Sequence, residues 1–535
     1  MRDVGSHGDF DDYLRELRAR QRAGKITRLE FLRWAAMFGA AAPWLSAAGA
    51  AGAAAPPAPA PRRGGVLRAT TSFPAQIEPQ LVTNIPGSAV VQPVMEQLVR
   101  VGADLIPRPH LAESWTASDD AKTWTFKIRS GVTFNNGARF SADDVVWTFG
   151  FLLDPKTAST ARTTLTYLTP AGVEKVDDYT VRFHLDRPVA VFPADLSNYM
   201  IVMLPKNWPG DFRQNPIGTG PFRLTELVLG DHATYARNPT YWRAPIPYVD
   251  GMELIFTRSP TTEIDMLLAG QSQVMISVGQ PSQIPAQRVT LLTAKSAWHH
   301  PLYWRTDMKP FSDPRVGQAM KYLVNRDEMV KIVYQGTGVT ANDHPVAPAY
   351  PEWTDNGVRK QDYAKAKALL AAAGYPNGLT LDLFAIGDAS ALEGPTAVAL
   401  QRMAAPAGVK VQIHLEPTTA FYNHWLEVPV GVTNWVMRPS VNAVLDLAYR
   451  CGVPWNAAHW CNGDLDAMLN DLDATVDLDK RRALTKRIED ALSQNGPAVI
   501  WGFHNVFRAV QPNVRGVIAS PINHVDLEEA WFTGT

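Results

Sequence analysis

Apolar and polar residues alternate through TWTFKI at 123–128, the period of a strand with one face buried, with Trp124, Phe126 and Ile128 as its apolar positions. A second short apolar run at 132–134 ends in Asn135, Asn136 and Gly137, which supply turn chemistry. Ser141 then stands three residues before Asp144, a short-acid form of the helix N-cap signal, and Val145, Phe149, Leu152 and Leu153 recur at helical spacing until Asp154-Pro155 stops the helix. Strand, turn, strand and capped helix make a compact α+β unit.

The pattern on either side is longer and of another kind. A first strand is predicted at 64–70, left through a loop with Ser72, Phe73 and Pro74, and 90–101 reads as a helix leading to a strand. TVRFHL at 180–185 alternates as a strand, a helix starts within 189–196, and further strands follow at 222–224 and 252–256. Two helices are predicted within 314–334. Asp362 N-caps another, with Ala364, Ala368, Leu369 and Ala372 on one face and Gly374 closing it. Strand 379–384, helix 396–405 and strand 410–415 repeat in alternation, which implies an α/β sheet with crossover helices on its faces. Amphipathic helices at 465–472 and 477–492 precede apolar strands within 497–510.

Length and charge then narrow the function. A chain of 535 residues with 46% hydrophobic positions can bury a large core and build several domains. Its formal net charge of −1 leaves no basic excess for phosphate, so nucleic acid is not an expected partner. The first sixty or so residues stand apart. A charged, net basic stretch at 11–25 leads to Arg28 and Arg33 flanking Phe31-Leu32, and no charge follows until Arg62. This reads as an export signal, similar to a twin-arginine signal except that Leu29 occupies the second arginine's place; general secretion is the other route. A membrane anchor is the alternative, against which stand Pro43 and small-residue cleavage patterns such as Ala51-Gly52-Ala53. No cysteine follows to carry a lipid, and the mature chain is expected to begin near the Pro/Ala linker at 56–61.

Several local patterns suggest chemistry and fail on context. Gly218 and Gly220 surround Thr219, but no Lys-Ser/Thr follows, so a structural turn is expected rather than a phosphate loop. GTGVTA at 336–341 formally fits a dinucleotide fingerprint, yet a helix precedes it where a strand is required, and it reads as a helix stop. No G-x-S-x-G, CxxC, HExxH or acidic calcium loop occurs. His299 and His300 are adjacent, His344 stands alone, and no metal site is expected. Cys451 and Cys461 are the only cysteines; in an exported chain they favour a disulfide over two separate buried thiols.

LAESW at 111–115 followed by the 123–149 stretch, then IGTGPFRL at 217–224, PFSDPRVGQAMKYLVNRDEMV at 310–330 and DYAKAKALLAAAGYPNG at 362–378 together closely resemble the extracytoplasmic solute-binding proteins of the dipeptide, oligopeptide and nickel class, family 5, that serve ABC importers. The resemblance runs from about Gly64 to the C-terminus. It implies an α/β, two-lobed periplasmic-binding-protein-like clamshell of type II with an extra α+β subdomain inserted in the first lobe. Residues 1–63 are expected to be signal and linker, 64–296 the first lobe with its insert at about 106–205, 297–496 the second lobe, and 497–535 the return to the first. Two crossings between lobes would form a hinge.

The implied function is capture of a small organic solute, peptide-like or carboxylate-bearing, by a periplasmic monomer that delivers it to ABC permease subunits in the inner membrane. No cofactor and no catalysis are expected. A receptor presenting solute to a membrane sensor is the alternative, and a secreted hydrolase a remoter one. Peptide-binding relatives place an acid shortly after the tryptophan matched by Trp435, to pair with the peptide ammonium; here Arg438-Pro439 occupies the region. A guanidinium cannot hold an ammonium but takes a carboxylate through two parallel hydrogen bonds, so Arg438 is the expected anchor of an anionic group, with a lobe-packing arginine as the alternative. Trp435, Trp455, Asn456, Trp304 and Phe73 are the other expected ligand contacts, the tryptophans having plain core packing as their alternative. A metal carried inside an organic chelator would need no protein ligand.

Overall fold

The computed structural model describes residues 60–534 except 389, 390 and 523; the expected export signal falls within 1–59, outside the described residues. Two α/β sheets dominate. The first has eight strands, ordered Thr290–Trp298, Gly502–Val510, Val274–Met275, Val66–Ser72, Gly251–Thr257, His232–Arg237 and Phe222–Val228, with Val339–Thr340 paired to Gly502–Val510 off that path. The second has five, ordered Val409–Glu416, Leu379–Ile386, Val430–Val432, Leu302–Trp304 and Ala498–Val499. The architecture is bilobed α/β, each sheet covered by its own helices and core.

The main crossings between the sheets run from Trp298 to Leu302 and from Val499 to Gly502, and the short strand Val339–Thr340 reaches back from the second lobe to the start of Gly502–Val510. The crossings are tied to each other. Trp501 Nε1 donates to the His300 carbonyl at 3.0 Å, and the Trp298 and His504 rings meet edge to face at 5.3 Å. Burial holds His299 and His504 down to about 4, so both are neutral at neutral pH and pack as polar aromatics.

A four-stranded sheet, Ala112–Ala117, Thr123–Ile128, Thr180–Leu185 and Leu168–Asp177, is inserted in the first lobe with the helix Ala142–Leu153 against it. The Asp144 carboxylate accepts the Ser141 backbone N–H at 2.8 Å, the reciprocal half of a capping box, which is why the helix starts there. Phe126, Phe149, Phe183 and Phe192 fill its core with ring centroids 5.0 to 5.9 Å apart. Each such buried ring stabilises by about 2 to 3 kcal/mol, so the insert has a core of its own.

Some local expectations are corrected. The run at 132–134 forms a single bridge, Thr133 to Arg139, rather than a strand. The first helix after the opening strand is Ile85–Val91, ahead of the 90–101 stretch. In the helix Tyr363–Ala372 the buried face carries Ala366 and Leu370, not the Ala364 face, because alanine's small side chain marks no face by itself. Gly218 and Gly220 do serve structure, but through close approach. A Cβ at Gly218 would lie 1.9 Å from the Val94 carbonyl oxygen, and one at Gly220 would lie 2.6 Å from that of Pro93.

Candidate functional site

Strand direction places the site. Gly502–Val510 begins at one crossing, Val274–Met275 runs antiparallel to it, and Val66–Ser72 and Gly251–Thr257 run parallel to Val274–Met275 and to each other. Leu302–Trp304 likewise begins at the other crossing, Val430–Val432 runs antiparallel to it, and Leu379–Ile386 and Val409–Glu416 run parallel to Val430–Val432. The carboxyl ends of the parallel strands of both sheets therefore point toward the boundary between the lobes. That is where open α/β sheets hold ligands.

Phe73 leaves the end of Val66–Ser72 half-buried, against Phe256 at 6.3 Å and under the Arg258 guanidinium at 5.1 Å. From the second sheet, the segment after Val430–Val432 runs along the boundary. Asn434 Nδ2 donates to Glu393 Oε1 at 2.6 Å and to the Tyr422 hydroxyl at 3.1 Å. Trp435 exchanges two backbone hydrogen bonds with His299, at 3.1 and 2.9 Å, which fixes the segment to the hinge. Trp435 is buried and meets the 39% exposed Trp455 edge to face at 5.7 Å.

Arg438 is the unusual group. Its Nε is buried with no hydrogen-bond partner among the described residues. Burial lowers its pKa, and the groups opposing that are the Tyr199 and Tyr350 hydroxyls, neither a carboxylate. Arg438 as a whole is half-buried, and Arg100 and Arg326 also have an unpartnered Nε, but those two face acids. Arg326 pairs with Asp343 at 2.6 Å and Arg481 with Glu352 at 2.9 Å, while Arg508 donates to three backbone carbonyls. A buried guanidinium without an acid is costly unless something anionic joins it.

Two of the expected contacts are engaged within the protein itself. Trp304 is 3% exposed, stacked on Phe311 at 5.2 Å and pressed on the helix Pro314–Leu323 at Gly317, so it belongs to the second lobe's core. Asn456 is a loop staple: Nδ2 donates to the Arg450 and Trp460 carbonyls at 3.0 and 2.6 Å, and Oδ1 accepts from the Trp460 backbone at 3.2 Å, which leaves little for a guest. Tyr199 and Tyr350, beside Arg438, were not flagged by the sequence. They lie far from it in the chain and in no motif, so no linear signal marks them. Among the described residues no three His, Cys, Asp or Glu side chains gather as a metal site would need.

Cys451 and Cys461 are bonded, closing the loop that carries Trp455. A loop of this length contributes about 2 to 3 kcal/mol in the chain-entropy account. Denaturation with and without reductant should differ by that amount, and the unfolded, unreduced protein should titrate no free thiol.

Two α/β lobes joined by a hinge, with the carboxyl ends of their parallel strands facing one boundary, have the architecture of a solute-binding clamshell. The chain belongs to the bacterial extracellular solute-binding proteins, family 5, whose model matches residues 107–453. It is similar to the dipeptide-binding protein of Escherichia coli (strain K12), 29% identical over 494 residues, 84% of this chain and 91% of that one. It is also similar to heme-binding protein A of Haemophilus influenzae, 28% identical over 456 residues, 78% and 82% of the two chains. As folds, it resembles HbpA2 from Haemophilus parasuis, TM-score 0.78 at 23% identity over 87% of this chain and 99% of that one. It likewise resembles the binding protein AgaA of A. tumefaciens R10, TM-score 0.73 at 24% identity over 88% and 99%. The protein is thus the extracytoplasmic substrate-binding component of an ABC peptide or solute import system, and it carries out no chemistry of its own.

Proposed function

We propose that the lobes close on a small organic solute bearing a carboxylate, that Arg438 anchors that group, and that the closed protein delivers the solute to permease subunits in the inner membrane. The buried Arg438 Nε without a partner, at the boundary onto which the parallel strands of both sheets open, supports this reading. Trp435 backs the anchor, Trp455 offers an exposed aromatic wall, and Phe73 meets the guest from the first lobe. Closure follows because a guest touching both lobes binds the shut form more tightly than the open one. No acid follows Trp435 to receive a free ammonium, so a zwitterionic peptide is a poorer guest than an acid with an apolar body. The relatives' names include both a dipeptide-binding and a heme-binding protein, and such a range fits a guest other than a peptide. Residues 1–63 serve as the export signal and linker, by a twin-arginine-like or general secretory route.

Native mass spectrometry of the freshly purified protein should show a co-purifying acid. Arg438→Ala should lose about 30-fold or more in affinity for it, the scale of truncating one partner of a buried charge pair. Arg438→Lys should recover part, since an ammonium keeps the charge and loses the two-pronged geometry. Full affinity in Arg438→Ala would remove the anchor.

A further inference from the structure

The inserted subdomain reaches past its own lobe. Just beyond its strand Thr180–Leu185, Arg187 donates through Nη1 to Asp473 Oδ2 at 2.7 Å and through Nη2 to Asp446 Oδ2 at 3.4 Å. Those acids sit on two second-lobe helices, Val441–Ala448 and Gly463–Ala474. Three residues on, the Ala190 backbone N–H donates to the Asp473 carbonyl at 2.7 Å. A third contact lies at Asp195, which accepts from Tyr167 of the insert at 2.7 Å and from Ser440 of the second lobe at 3.1 Å.

The receiving side is built for a second guanidinium. Burial penalises the Asp473 carboxylate, and Asp446 beside it repels it further. Arg450 already bonds both, through Nε to Asp446 at 2.6 Å and through Nη2 to Asp473 at 2.6 Å, and Asn442 Nδ2 holds the other Asp473 oxygen at 2.6 Å. With the insert lifted away, two acids would share one arginine; with it docked, they share two. The Arg187 side chain is 39% exposed, and buried Asp473 keeps Arg450 and Asn442 when Arg187 leaves, so the contact can part without stranding an unpaired ion in a dry core.

We propose that the insert is a clasp: Arg187, Ala190 and Asp195 lock it onto the second lobe in the closed form, so that residues touching no guest set part of the closing equilibrium. The clasp works through a two-state element, the hinge, whose shut form alone makes these contacts. It does not depend on which solute is bound. Ser440, which receives Asp195, lies two residues from Arg438, so clasp and anchor are carried on one segment.

The Ala190 amide reports the clasp directly, because its acceptor belongs to the other lobe. Hydrogen exchange would be followed in the full chain without added solute, together with X-ray scattering. Arg187→Ala should speed exchange at Ala190 by about tenfold and raise the radius of gyration, while amides within Thr123–Ile128 and Thr180–Leu185 keep their protection. Arg187→Lys should fall between the two, since one ammonium does not reach both acids as the fork does. Unchanged exchange at Ala190 would overturn the proposal. So would exchange rising equally through the insert's own strands, which would mean a loosened fold and not an opened clasp.

Discussion

Asp343→Ala is expected to destabilise the second lobe by about 4 kcal/mol or more, a large share of a lobe's total stability. Both Asp343 oxygens accept from Arg326 Nη2, at 2.6 and 2.7 Å, and Oδ2 also accepts from Arg359 Nε at 3.0 Å. Arg326 is all but inaccessible, its remaining bonds going to the carbonyls of Lys321, Val324 and Arg359. Next to them Lys321 Nζ donates to the Leu492 and Ser493 carbonyls, at 2.8 and 3.0 Å, at the end of the helix Leu478–Asn495. Burial pushes the Lys321 ammonium down to about 7, against the pull of Asp343. Asp343 is thus the acid among three basic groups, Lys321 and Arg326 buried and Arg359 half-buried. Removing it leaves two guanidiniums uncompensated and lowers the Lys321 pKa further. Asp343 also sits at φ 63, where Asp and Asn are tolerated and Ala is strained. Asp343→Asn separates the terms, keeping shape and backbone tolerance while losing the charge, and should cost about 1 kcal/mol less than the alanine. Urea unfolding followed by tryptophan fluorescence measures both; a loss under about 1 kcal/mol for Asp343→Ala would refute the argument.

That cluster illustrates what the sequence could not disclose. The helix Ala142–Leu153 was legible because its signals are local: Ser141 and Asp144 at capping distance, an apolar stripe, and Pro155 to end it. The α/β alternation around 379–416 was legible for the same reason. The helix stop at Gly336 was legible too, and there Gln335 and Gly336 take positive φ, 53 and 76. Side-chain roles fixed by tertiary contact were not. Asn456 looked like a ligand donor because its residue type suits one, yet its amide is spent on the loop around it. Trp304 looked like a cleft wall and is core, because the strand carrying it is covered by Phe311 and Gly317. Arg187 and Asp473 are 286 positions apart, and nothing near either one predicts the pairing. Arg438 stood out in sequence by contrast with an expected acid, and what the structure adds is the missing partner at its Nε.

Glu96 carries the second large effect, this time in the first lobe. It is fully buried, and each oxygen takes two donors: Oε1 from His110 Nε2 and the Tyr241 hydroxyl, both at 2.7 Å, and Oε2 from the Thr219 hydroxyl and Trp242 Nε1, both at 2.9 Å. Thr219 lies between Gly218 and Gly220, and Tyr241 and Trp242 follow the strand His232–Arg237, so two separate segments converge on one carboxylate. Burial alone would raise its pKa, but His110, Trp242 and Arg100 pull it down to about 2. Burial likewise depresses His110, so at neutral pH the carboxylate is ionised and the imidazole is a neutral donor. Glu96→Leu strands four donors and should cost about 4 kcal/mol or more. Glu96→Gln should cost less than half of that. Its oxygen can face Thr219 and Trp242, the latter being unable to accept, while its amide N–H groups face Tyr241 and His110, which can turn or change tautomer to accept. The pH dependence has a definite sign. A carboxylate depressed in the folded state stabilises fully above its unfolded value near 4.5, and that contribution drains away as pH falls toward 2. Stability measured from pH 5 downward should therefore fall less steeply in Glu96→Gln than in the parent protein. Glu96 also raises the His110 pKa, and His110 protonates in the same range, so parallel slopes with an unchanged His110 titration would mean that the four donors, and not the charge, hold this corner of the lobe.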